Sequence, residues 1–144
     1  MTTDKDGLVE SVSTRPANES EMTNFPDILD EAGIEKGIRV LYDKGADSEK
    51  NRQALRTRGL KDGVMRKKPK GKEMTYWSKV RNRLISRRRF VTERTFGTIK
   101  RVYGMGRARY IGIAKVQGEL VLKSMAYNMK RALNLYKKLQ PNCV

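Results

Sequence analysis

The chain has no histidine and a single cysteine, Cys143. Without histidine, zinc fingers, metalloprotease sites, His-based nucleophilic schemes and most general acid–base schemes are excluded together. A lone cysteine excludes an internal disulfide framework and a thiolate metal cluster, and it fits a reducing compartment. No apolar run approaches the roughly 18–20 residues that span a bilayer. The start, Met1-Thr2-Thr3-Asp4-Lys5-Asp6-Gly7, lacks the basic-then-apolar pattern of a signal peptide. These absences predict a soluble, cytoplasmic protein with no membrane partner. Acidic side chains are scarce in the second part of the chain. Residues 51–144 hold 4 Asp/Glu against 26 Lys/Arg, whereas residues 1–50 hold 12 Asp/Glu against 6 Lys/Arg. Any chemistry here therefore runs on carboxylates, lysines, hydroxyls and a borrowed metal.

A net charge of +16 and a pI near 10.2 point to a polyanionic partner, nucleic acid or an anionic surface. The 144 residues and 16.5 kDa suffice for one domain with one core. Leu8–Ser13 is β-branched and ends at Arg15-Pro16-Ala17-Asn18, as a strand leaving a turn would. A helix is predicted from Met22 to Glu31, with Pro26 in its first turn and Gly33 and Gly37 breaking it. Ile38–Tyr42 reads as a second strand with Asp43 at its C-terminal end. Asp47-Ser48 caps a helix from about Glu49 to Thr57, which Gly59 stops. Val64-Met65 is a weak third strand. Two long helices follow, Thr75–Tyr103 with Trp77, Val80, Leu84 and Phe96 among its apolar positions, and Ile111–Leu139. In the last helix Met125, Tyr127, Met129 and Tyr136 are expected in a core or an interface. The pattern predicts an α/β domain with a small sheet. Two or three short strands are few for two long helices, and the sequence reads as a domain without its front.

The tract Lys61–Phe90 carries 12 Lys/Arg against Asp62 and Glu73. Tyr76 and Trp77 lie among these cations, which include Lys67 and Lys68, so phosphate contacts and base stacking are both available. The tract continues through Arg87, Arg88, Arg89, Glu93, Arg94, Lys100 and Arg101. On a helix Arg89, Glu93 and Lys100 fall at about 0°, 40° and 20°, one carboxylate between two cations on a single face. With Asp43, Glu93 forms a coherent oxygen-ligand set for Mg²⁺, suited to in-line phosphoryl displacement. Asp43 reads equally as the cap of a turn, and Glu93 as an ion-pair partner of Arg89 or Arg94.

The string Arg87–Arg101 resembles the glutamate region of DDE-type insertion-sequence transposases, closest to the insertion-sequence-five family. That family's pattern is Tyr, two residues, Arg, three, Glu, six, Lys. Arg89, Glu93 and Lys100 match it, and Ser86 stands where Tyr is usual. Asp43-Lys44-Gly45-Ala46-Asp47-Ser48, followed by Asn51-Arg52, resembles the block around the second catalytic aspartate, with Ala46 for Tyr and Tyr42 where a small residue is usual. Ala126–Leu133 resembles the family's C-terminal helix, and Gly7–Glu19 the strand leading to its first connecting helix.

The resemblance implies a ribonuclease-H-like catalytic core truncated at its N-terminal strands, with long C-terminal helices. The chain is then a single partial domain, 1–144, with Asp43 in a residual strand/helix part (1–74) and Glu93 in a basic helical part (75–144). It implies Asp43 as the second and Glu93 as the third metal-binding acid, with Mg²⁺ or Mn²⁺ as cofactor. The first aspartate has no counterpart here. Arg89 and Lys100, with Arg87, Arg88, Arg94, Arg101, Lys67, Lys68 and Trp77, would hold DNA. The implied partners are transposon ends and target DNA, with a homo-oligomer or an upstream transposase part, in a nucleoid-associated location. Three other readings stay open. One is a non-catalytic binder that competes with or regulates transposition, another a basic RNA-binding protein, and the third a decayed remnant.

Overall fold

The computed structural model describes residues 1–16, 18–19 and 21–140, so Cys143 lies outside the described residues. The chain packs as two compact units, one of residues 17–90 and one of residues 1–16 with 91–144.

The first unit opens with helix α1 (Glu21–Ala32). Pro26 lies inside this helix, not in its first turn as the sequence suggested. Proline has no N–H to give the carbonyl four residues back, so Met22 loses its helical donor. The side chain of Asn51 replaces it, donating from Nδ2 to the Met22 carbonyl at 3.0 Å and to the Ala46 carbonyl at 3.1 Å. An interior proline is thus compatible with a continuous helix.

Strand β3 (Arg39–Tyr42) and strand β4 (Lys61–Val64) pair in parallel, Arg39 opposite Lys61 and Tyr42 opposite Val64. A parallel pair needs a crossover, and helix α2 (Glu49–Thr57) supplies it. The Ser48 hydroxyl caps that helix by accepting from the Asn51 N–H at 3.2 Å, and Gly59, at φ +67°, takes the left-handed turn that follows its end. The strand at β4 begins three residues earlier than the sequence indicated, and it is formed around Gly63. A Cβ there would stand 2.4 Å from the Val40 carbonyl, so only glycine admits the neighbouring strand. Phe25, Leu29, Ala46, Leu55, Leu60 and Val64 form the buried cluster of this unit, with Tyr42 set edge-on to Phe25 at 5.0 Å between centroids.

In the second unit the antiparallel pair β1 (Thr2–Thr3) and β2 (Val9–Ser11) forms a separate sheet. The expected single small sheet is therefore two sheets of two strands each. Helix α3 (Tyr76–Val102) passes from one unit into the other at residue 90, and helix α4 (Ile113–Leu139) belongs to the second. The β2 segment is held chiefly by side chains. Asn128 accepts from the Val9 N–H and donates to the Val9 carbonyl, both at 2.8 Å, and Gln117 donates to the Val12 carbonyl at 2.8 Å. Thr95 donates to the Gly7 carbonyl at 3.1 Å and meets the Tyr127 hydroxyl at 3.0 Å, while Arg131 donates to the Asp6 carbonyl at 2.9 Å.

Of the apolar positions named along α3, Trp77 is 77% exposed and Leu84 and Phe96 are also exposed, and in the last helix Tyr127 is buried while Met125, Met129 and Tyr136 face solvent. Among the described residues no helix is long and apolar enough to cross a membrane.

A strand-end carboxylate and a basic helix

Asp43 follows β3 directly and caps the single 3-10 turn Lys44–Ala46. Its Oδ1 accepts from the Gly45 N–H at 2.6 Å. Its other oxygen, Oδ2, lies 4.0 Å from Nη2 of Arg89. The capping role and the strand-end position therefore coexist. One oxygen fixes the turn and the other faces out, with the side chain 42% exposed. Arg89 is half-buried, and its Nη1 also lies 3.8 Å from the Met65 sulfur. The position that ends β3 and the helix position with the cation are thus brought together.

The turn behind Asp43 is fixed by a charged cluster that composition alone did not mark. Arg52, nearly buried, pairs with Asp47 at 2.7 Å and with Asp62 on β4. Arg81 of α3 reaches Asp62 at 3.2 Å, and Asp47 also accepts from the Lys67 N–H at 2.5 Å. Burial pushes the Asp47 carboxyl up, but the Lys67 N–H and the Arg52 guanidinium outweigh it and hold the group below the usual carboxylate range. Arg52 itself loses by desolvation and gains more from Asp47 and Asp62, so its guanidinium is held above its ordinary value. Asn51 and Arg52 stood in the motif quoted from the sequence. Their work is to hold the loop that carries Asp43.

The basic loop after β4 is anchored at Arg66 as well as at the Lys67 N–H. The Asn82 side chain accepts from the Arg66 N–H and donates to the Arg66 carbonyl, both at 2.9 Å. Beyond it Lys67 and Lys68 are exposed, Lys68 pairing with Glu73 at 2.6 Å. Trp77 stands edge-on to Tyr76, 5.5 Å between centroids. It also borders a cleft of about 290 Å³ lined by Arg39, Asp62, Gly63, Val80, Arg81, Leu84 and Ile85. Arg87 and Arg88 are exposed on α3.

Glu93, Arg94, Lys100 and Arg101 belong to the other unit and are exposed there. Lys100 places its ammonium 4.4 Å from the Phe96 ring centroid, and Arg101 donates to the Gly97 carbonyl at 3.4 Å. Among the described residues no three carboxylate, thiol or imidazole side chains come together as a metal site. Asp43 offers one outward oxygen beside a cation, which is an incomplete donor set, so these residues do not by themselves fit a bound divalent ion.

A family model described as the transposase DDE domain matches residues 1–129. The chain belongs to that family. The transposase for insertion sequence element IS1106 of Neisseria meningitidis serogroup B is 40% identical over 132 residues, 92% of this chain and 45% of that protein. The chain thus spans under half the length of this relative. No solved structure matches. The mixed helices and small sheets are consistent with a DDE transposase domain.

Proposed function

We propose that the chain is a partial catalytic domain of a DDE transposase, built on a ribonuclease-H-like plan. It binds transposon-end and target DNA and contributes two of the acids for strand cleavage and transfer. The observation that carries this reading is Asp43. It sits at the C-terminal end of a parallel strand, where open α/β sheets bind ligands, with the Arg89 guanidinium 4.0 Å away. An arginine beside the carboxylate suits a phosphodiester, because the cation takes the phosphate charge.

In the complete enzyme Asp43 and Glu93 would offer oxygen ligands to Mg²⁺ or Mn²⁺, which would supply activation of a water or hydroxyl and stabilisation of the leaving oxygen. Arg89, Arg87, Arg88, Arg94, Lys100 and Arg101 hold the backbone, and Lys67, Lys68 and Trp77 extend the contact. With an incomplete donor set the 144 residues alone bind DNA and do not transpose it. In the cell they act at the nucleoid, with a second copy or the remaining transposase part as partner.

The test replaces the matched segment of the meningococcal transposase with these 144 residues and assays strand transfer. The graft should be active. Asp43→Asn and Glu93→Gln should each abolish transfer while DNA affinity changes less than twofold. An active Glu93→Gln graft would rule out the catalytic assignment.

A non-catalytic binder is the second reading, favoured by the absence of three converging acids among the described residues. Under it the graft is inactive while the free chain binds duplex DNA.

A further inference from the structure

Helix α4 turns one face to its own unit. Ser124 and Tyr127 are buried there, and Gln117, Asn128 and Arg131 bond the N-terminal segment. The opposite face is apolar. Leu122, Met129 and Tyr136 recur every seven residues, as do Met125, Ala132 and Leu139, with Ala126 and Leu133 beside them. At about 100° per residue these positions fill an arc of about 140°, some 27 Å long at about 1.5 Å per residue. No charged residue falls in it between Leu122 and Leu139. Leu122, Met125, Met129, Leu133, Tyr136 and Leu139 are each between 51% and 81% exposed. A continuous apolar stripe of this length on so charged a chain marks an interaction surface. A seven-residue repeat is the period of a helix-on-helix seam.

One border of the stripe is basic. Lys123, Lys130 and Lys137 also recur every seven residues. Lys123 is committed to Glu119 and the Gly104 carbonyl, while Lys130 and Lys137 are exposed. A second copy packed along this seam would bring two like-charged borders and two chains of +16 together, at a cost. We infer that the outer face of α4 docks an amphipathic helix whose apolar stripe is bordered by Asp or Glu. The carboxylates of that partner meet Lys130 and Lys137, and its Leu-like side chains cover Met125, Met129, Leu133 and Tyr136. An anionic lipid surface would ask for cations on both borders and has no use for the seven-residue register.

The test uses the full chain and a labelled synthetic peptide of three heptads with Leu at the seam positions and Glu on both flanks. Fluorescence anisotropy at moderate salt should show saturable binding. Exchanging Glu for Lys in the peptide, or Leu for Ala, should weaken it at least about tenfold. Met129→Glu and Leu133→Glu in the chain should do the same. Both residues are exposed, and far-UV circular dichroism with duplex-DNA affinity checks that these variants stay folded. Binding that ignores the stripe variants, or the loss of the peptide's leucines, would overturn the inference, because the peptide would then be held by charge alone. Stripe-dependent dimers in sedimentation would overturn it in favour of a second copy. Stripe-dependent binding to phosphatidylserine vesicles without peptide binding would overturn it in favour of a lipid surface.

Discussion

Asn51 donates to the carbonyl of Met22, the one that Pro26 leaves without its helical donor. The same amide group also holds the Ala46 carbonyl, so one side chain repairs α1 and fixes the turn behind Asp43. Asn51 is 1% exposed, and water cannot replace it without opening the core. Asn51→Ala should therefore cost about 1–3 kcal/mol, the range for leaving a buried polar group unsatisfied. Asn51→Asp should cost more, because a carboxylate then faces two carbonyls. Urea unfolding of the three proteins checks the order. A variant Asn51→Asp as stable as the parent would contradict this account of α1.

Asn128 plays the corresponding part in the other unit. It meets both the N–H and the carbonyl of Val9, as a neighbouring strand would, so a helix residue completes the β2 ladder. Asn128→Ala is expected to destabilise by about 1–3 kcal/mol. Asn128→Asp keeps the acceptor for the Val9 N–H and loses the donor for the carbonyl. Hydrogen exchange at the Val9 amide should accelerate strongly in the alanine variant and much less in the aspartate one.

Gly7 precedes that strand at φ +82°, and a Cβ there would stand 3.0 Å from Thr95 Oγ1 and 3.2 Å from Val91 Cγ1. Gly7→Ala meets both the left-handed backbone and the close contact. The loss should exceed the roughly 0.4–1 kcal/mol that Gly→Ala gains at compatible sites. Thermal unfolding reads it directly, and an unchanged or raised midpoint would refute it.

Acid should loosen both units. The Lys123 bond holds the Glu119 carboxyl below its usual range against desolvation, with help from the Arg109 N–H, and Asp47 is lowered as described. A carboxylate lowered on folding binds fewer protons in the native than in the unfolded state. Its contribution is whole above the unfolded value, about 4, and is lost as pH falls through the folded value. The unfolding midpoint should thus be flat from about pH 7 to 5 and fall below about 4. Asp47→Asn should flatten that fall. An acid limb of unchanged slope in this variant would assign the effect to other groups.

The helices were legible because their signals are local. Ser48 and Gly59 mark α2 to the residue. Asp43 was placed at its strand end by the apolar run before it. The rest depended on partners distant in sequence. β1 is two residues long, too short for any period to show, and it takes β2 away from the expected single sheet. Gly63 breaks the strand pattern of β4, and its value appears only when Val40 stands across from it. Periodicity along α4 marked an apolar stripe, but which of its residues are covered depends on what packs against them. The pairing of Arg89 with Asp43 likewise needs the fold, since 46 positions separate them.

Lys67 and Lys68 are neighbours with different expected weights in DNA binding. Lys68 already pairs with Glu73 at 2.6 Å, and that pair, with Lys79 nearby, holds the Glu73 carboxyl below its usual range. A phosphate must compete with Glu73 for Lys68 and is repelled by the carboxylate. Each phosphate neutralised contributes about −0.9 to the slope of log K against log salt on duplex DNA. Lys67→Ala should therefore reduce the steepness of that slope by close to one, whereas Lys68→Ala should reduce it by less. Glu73→Gln should raise affinity by a few-fold at low salt, since it frees Lys68 and removes a like charge. Anisotropy titrations of a labelled duplex by the full chain, from about 50 to 200 mM salt, measure all three. Equal slopes for the two lysine variants, together with no gain from Glu73→Gln, would place the DNA away from this loop and leave the contact to the arginines of α3.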